Sequence, residues 1–251
     1  MRQGLMNRIL FLGIALWELF SLLGPATAAE NQEKSAAAPK TQRFRYEAIP
    51  VGGQADQKEF IAIEFEERGR QVEYISRAMS PEGTEEITIY TDPEGKFISG
   101  TRSMVDPLGK RVRQERVWRT DHKAYLEASA GKGGKEKEYD LGRDSVLAVD
   151  GSLLVLLRSF PFHEGKEWDI FMIDFSGYSI TVTVKMGGME TIIVPAGEFE
   201  CYRMEVMVHI PILRPKIIYW LSKMKPHFLV KHQGKRGPFT ATYLTSLVSF
   251  E

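Results

Sequence analysis

Residues Tyr178-Ser179-Ile180-Thr181-Val182-Thr183-Val184-Lys185-Met186 alternate apolar and polar side chains without a break. Side chains of a strand point to opposite faces in turn, so this segment has one buried and one wet face. Strands with a solvated face belong to antiparallel sheets. Outward from it the same β-like texture continues. Glu167–Phe175 precedes it; Glu190–Val194, Glu198–His209, Lys216–Ser222, His227–Gln233 and Phe239–Val248 follow. Upstream, Phe44–Ile49, Glu59–Glu66, Gln71–Met79, Glu85–Thr91, Lys96–Val105 and Arg111–Thr120 read as strands, the second with Ile61, Ile63 and Phe65 on one face.

Three turns punctuate the upstream half: Ser80-Pro81-Glu82-Gly83, Asp92-Pro93-Glu94-Gly95 and Asp106-Pro107-Leu108-Gly109. Proline presets φ, glycine relieves the exit, and Ser or Asp accepts a backbone hydrogen bond. Their spacing of about 12 to 14 residues suits a meander of antiparallel strands. Gly131-Lys132-Gly133-Gly134-Lys135 reads as a solvated hairpin tip, because the G-x-x-x-x-G-K-[ST] order of a phosphate loop is absent. About a dozen strands curl or close rather than stay flat. The expected fold is therefore mainly β, a strongly curved antiparallel sheet or open barrel-like roll with one docked helix.

That helix is predicted over 150–160. Asp150 is positioned to cap it. Leu153, Leu156, Leu157 and Phe160 recur at helical spacing, Ser152, Val155, Arg158 and Ser159 form the other side, and Pro161 stops it. So apolar a stripe must pack on the sheet.

The beginning of the chain reads differently. Arg2 and Arg8 precede an apolar run from Ile9 to Leu23, and Gly24-Pro25-Ala26-Thr27-Ala28-Ala29 follows. This is the layout of a secretory signal peptide, with cleavage expected before Ala29 or Glu30. The run is shorter than the ~20 residues that span a bilayer as a helix, and it contains Glu18. No cysteine follows it that could carry a lipid anchor. The expected organisation is a signal peptide at 1–28, a disordered polar leader at 29–42 and a single antiparallel β domain at 43–251. The domain is expected to be periplasmic, soluble or peripherally envelope-associated, with no transmembrane anchor after cleavage.

Composition excludes several function classes. The chain has 33 Lys plus Arg against 33 Asp plus Glu, a balance that argues against nucleic-acid binding. The one cysteine, Cys201, cannot form an internal disulfide and is expected to be a small buried residue. His122, His163, His209, His227 and His232 show no metal-ligand spacing. Cys201 and His209 are about 26 Å apart along one strand, too far to act together without a sharp bend. Glu66-Glu67 and Glu85-Glu86 read as solvated surface. No G-x-S-x-G elbow is present. No catalytic residue, metal ligand or cofactor is therefore assigned.

Val194-Pro195-Ala196-Gly197-Glu198-Phe199, then Tyr219-Trp220-Leu221-Ser222 and Pro226-His227-Phe228-Leu229, preceded by Val149-Asp150-Gly151-Ser152-Leu153-Leu154 and Leu157-Arg158-Ser159-Phe160-Pro161, form an ordered set of blocks. In this order they resemble the bacterial exported-protein family catalogued as domain of unknown function 3108, over roughly residues 43 to 248. The resemblance implies an envelope-associated, largely antiparallel β protein and carries no catalytic residues. By fold-level analogy alone it is similar to the curved sheets of periplasmic lipoprotein carriers, which hold acyl chains.

Two functions follow as expectations. The first is a non-enzymatic protein binding a lipid or other apolar or amphipathic ligand on a curved sheet, its cavity lined by Tyr178, Ile180, Val182 and Val184, with Trp220 nearby. The second is an envelope-assembly scaffold with an envelope protein as partner, in which the same strand face packs on the helix and the core is filled. A cavity of about 300 Å³ or more would separate them.

Overall fold

The computed structural model describes residues 40–52, 59–80, 83–129, 134–142, 145–163, 165–210, 215–235 and 241–251. The expected signal peptide and most of the leader lie outside these residues, as do Pro81-Glu82 of the first turn and the centre of the 131–135 tip.

Fifteen strands form one sheet: β1 (Lys40–Pro50), β2 (Glu59–Arg68), β3 (Gln71–Ser80), β4 (Gly83–Thr91), β5 (Phe97–Val105), β6 (Arg111–Arg119), β7 (Lys123–Ser129), β8 (Gly134–Asp140), β9 (Val146–Val149), β10 (Glu167–Ile173), β11 (Ser179–Val194), β12 (Gly197–Val208), β13 (Lys216–Ser222), β14 (Leu229–Lys235) and β15 (Thr242–Phe250). The spatial order is β8-β7-β6-β5-β4-β3-β2-β1-β15-β14-β13-β12-β11-β10-β9. Among the described residues only the β9–β10 pair, spanned by the helix α1 (Ser152–Arg158), is parallel. The fold is the mainly β, curved sheet with one docked helix that the alternation predicts.

The Asp-Pro turns form as their residues dictate. Asp92 Oδ1 accepts from Lys96 N at 2.7 Å, and Asp106 Oδ1 accepts from Leu108 N and Lys110 N at 3.0 and 2.9 Å. Register shifts in β1, β4, β5, β11 and β13 bend the sheet. The one between Met186 and Met189 falls at Gly187-Gly188, where Gly188 takes φ 118°. The result is a roll whose two edges approach without pairing. Tyr139 Oη and Lys137 Nζ of edge strand β8 donate to the carbonyl of Gly177, in the turn before β11, at 2.8 and 2.7 Å.

α1 plugs this roll. Ser152 to Leu157 are all buried, and Leu157 is fully enclosed. The side that the sequence pattern left polar is therefore covered at Ser152 and Val155, where the sheet wraps it, while Arg158 is partly open and Ser159 is exposed. The fit is close: a Cβ on Gly151 would collide with the Tyr74 ring, and one on Gly95 would lie 3.1 Å from the Leu156 backbone.

Three expectations need correction. Asp150 does not cap α1. Gly151 is the N-cap, without a side-chain cap bond; Asp150 takes φ 35° and its carboxylate accepts from Phe175 N at 3.2 Å. The domain begins before residue 43, since Lys40, Thr41 and Gln42 pair with Glu67, Glu66 and Phe65. Finally, Glu85 is largely covered, in an ion pair with Arg102 on the next strand, whereas Glu86 pairs in the open with Arg77.

Candidate functional site

A cavity of about 420 Å³ opens at one end of the roll, beside the C-terminus of α1. Register builds its first wall. Lys40 pairs with Glu67 and Glu67 with Val72, while Gln42 pairs with Phe65. Paired residues share a face, so β1, β2 and β3 present all five side chains to the same side. The second wall is Val155, Arg158 and Ser159 of α1 with Phe160 and Phe162 beyond it. The β4–β5 turn contributes Pro93 and Gly95, and the β13–β14 connection contributes Lys225, Pro226 and His227.

The aromatic side of the cavity is held rigidly. Phe162 stacks on Tyr202 at 4.3 Å between ring centroids and packs against His227 at 4.5 Å. Phe160 meets Trp168 edge-on at 4.7 Å. His227, at φ 55°, donates from Nδ1 to the carbonyl of Ser222 at 3.0 Å, the only direction that bond can take. Each ring is fixed by a neighbour that is itself packed, so the cavity is formed before any ligand arrives.

Arg158 is the polar centre. Its Nε donates to the carbonyl of Pro226 at 2.9 Å and its Nη2 to Gln42 Oε1 at 2.8 Å. The guanidinium lies over the Phe65 ring, 4.1 Å from the centroid. Burial pulls the guanidinium down to about 10, partly offset by Tyr46 and Glu67, so it is a cation at neutral pH. Among the described residues it forms no ion pair with a carboxylate. Among the described residues the cavity thus combines an apolar aromatic wall with the cations Lys40, Arg158 and Lys225, against the carboxylate Glu67. Such a surface can hold a molecule that is partly apolar and partly polar.

The strand face expected to line a cavity does something else. Val182 and Val184 are fully packed, Ile180 is half-buried, and none of them lines the opening. Tyr178 falls in the turn before β11 and is 75% exposed. Trp220 is buried, but on the opposite face of the sheet. It pairs with Arg203, whereas Val184 pairs with Val206 and Val206 with Ile217. Its indole donates to Glu190 Oε2 at 3.0 Å and stacks under Lys231. Thus Tyr178, Val182 and Trp220 do not converge. Sequence reading missed Phe65, Arg158, Phe160 and Phe162 as a group; the signal available was a lone arginine in the last turn of an otherwise apolar helix.

Several polar groups are buried outside the cavity. Cys201 is buried as expected; burial pushes its thiol up to about 12. His209 contacts Thr183 at 2.7 Å at the other end of β12, so the two do not meet. On the inner face of β6, Glu115 is fully enclosed beside Arg113 and pairs in register with Arg102; burial raises its pKa. No three His, Cys, Asp or Glu side chains gather to hold a metal among the described residues. No helix among them is long and apolar enough to cross a membrane.

No family model matches the chain, and no curated protein matches it. Solved structures similar to it include a Parabacteroides distasonis protein provisionally classed as a lipoprotein, at 10% identity, covering 84% of this chain and 95% of that one, with a TM-score of 0.35. The hypothetical lipoprotein YmcC of Escherichia coli shows 12% identity, covers 82% and 83% of the two chains, and has a TM-score of 0.35. A Bacteroides fragilis protein provisionally classed as exported, with a YmcC-like fold, shows 9% identity, 84% and 95% coverage and a TM-score of 0.31. Likenesses this distant reach neither ligand nor site.

Proposed function

We propose that the chain is an exported, non-enzymatic protein that holds an amphipathic small molecule in the cavity beside α1. The observation that carries this reading is the cavity itself: about 420 Å³, within the roughly 300–1,000 Å³ range of ligand sites, and walled by prepacked aromatic rings. Export rests on the signal-peptide pattern of residues 1–28. A second reading, an envelope-assembly scaffold, draws support from the packed interior around Val182, Val184 and Leu157.

Native mass spectrometry of protein purified from the exporting cell tests the choice. The binding reading expects added mass that denaturation removes. Ser159→Trp, which places a large side chain at the exposed rim of the cavity, is expected to abolish that mass with unchanged circular dichroism. Adduct-free wild-type protein that also fails to bind an apolar dye would leave the scaffold reading.

A further inference from the structure

We propose that this cavity selects an anionic amphiphile, with Arg158 as the anchor of a carboxylate or phosphate head and Phe65, Phe160 and Phe162 as the bed of its apolar part. The inference rests on the ligand-binding reading above and adds the sign and chemistry of the head group.

Three observations carry it. First, Arg158 is a largely buried cation whose hydrogen-bond partners are neutral oxygens, the Pro226 carbonyl and the Gln42 amide. Buried charges are ordinarily paired; among the described residues no carboxylate comes within ion-pair distance of this one, and Glu67 acts on it only through space. Second, a guanidinium carries five N–H donors in a planar fork. Two are engaged, and stacking on Phe65 leaves the edge of the fork available while fixing its plane. A fork of this kind matches the two oxygens of a carboxylate or phosphate, which a lysine does not. Third, Lys40 and Lys225 stand exposed at the rim, and among the described residues of the lining Glu67 is the carboxylate that opposes them. Their field attracts anions and opposes a cationic head group, which is how charge sets selectivity rather than bulk affinity. Phe160 and Phe162 lie on the α1 side of the same opening and Phe65 on the β2 side, so head and tail of one small molecule can be satisfied together.

Calorimetric titration of the delipidated full-length exported protein with four probes that share an eight-carbon chain tests this: octanoate, octyl phosphate, octanol and octyltrimethylammonium. The two anions are expected to bind roughly tenfold tighter than octanol, and the cation more weakly than octanol. Whichever of octanoate and octyl phosphate binds tighter identifies the head group as carboxylate or phosphate. Arg158 also ties Gln42 to Pro226, so its own substitution can disturb folding. The decisive variant is therefore Lys40→Glu with Lys225→Glu, two exposed positions. It is expected to cut the preference for anions over octanol severalfold with an unchanged circular dichroism spectrum, and an undiminished preference would overturn the part assigned to the rim charges. Saturable binding of octanol with the same affinity as both anions would overturn the anionic head group while the amphiphile reading stands. Failure of all four probes to bind would overturn both.

Discussion

Asp150 holds a backbone conformation, φ 35°, that few residues other than Gly, Asn and Asp adopt. Its carboxylate is enclosed and accepts one backbone hydrogen bond from Phe175. Burial raises its pKa from 3.8 to about 6; Asp174 and Glu85 push the same way, against the Phe175 bond and Arg102. The folded state therefore keeps a proton that the unfolded chain has released between pH 3.8 and about 6. Across that window stability falls as pH rises, because the folded state binds more protons. Asp150→Asn keeps the acceptor oxygen and tolerates the same φ, but cannot ionise. Relative to wild type it is expected to be equal near pH 3.5 and more stable by roughly 1–3 kcal/mol at pH 7. Urea unfolding at several pH values reads the difference, and two curves that stay parallel from pH 3.5 to 7 would contradict it. Nothing local predicts this environment. The residue looked like a helix cap, and only the return of the chain at Phe175 decides what its carboxylate bonds to.

At the scale of elements, period-2 alternation and turn chemistry identified the strands that have one wet face. β7, β8 and β9 escaped notice for separate reasons. β7, Lys-Ala-Tyr-Leu-Glu-Ala-Ser, is rich in helix-favouring residues; β8, Gly-Lys-Glu-Lys-Glu-Tyr-Asp, is charged on both faces as an edge strand should be; β9 has four residues. The helix was legible from its leucines, but not its depth. A seven-residue helix is not stable alone, and α1 persists because the sheet surrounds it. Leu157→Ala is thus expected to cost about 2–5 kcal/mol by urea unfolding. Ser159→Ala, on the exposed end, should stay within about 0.5 kcal/mol of wild type. Equal, small effects at both positions would mean that α1 is not the plug of the roll.

For the whole molecule, the cavity illustrates why sites are harder to read than strands. Gln42, Phe65, Arg158 and Pro226 come from β1, β2, α1 and the β13–β14 connection, and only the curl of the sheet brings them together. No periodicity records such a meeting, whereas a strand with one wet face announces itself within ten residues. The curl in turn depends on how the open edges are held. On one side β8 is paired only with β7, and its inner residues Lys137 and Tyr139 reach across to the Gly177 carbonyl. The Tyr139 ring packs edge-on against Phe171, so Tyr139→Phe keeps the apolar contact and removes one hydrogen bond. A neutral bond of this kind is worth about 0.5–1.5 kcal/mol. If it latches the roll, its loss should act locally: β8 amides bonded to β7 are expected to exchange roughly 2- to 10-fold faster, while β11, β12 and β13 keep their protection. Hydrogen exchange resolved by segment makes the comparison within one sample. Acceleration spread evenly over all the strands would show that the edges open only when the whole sheet does, and unchanged exchange in β8 would show that Lys137 alone holds them.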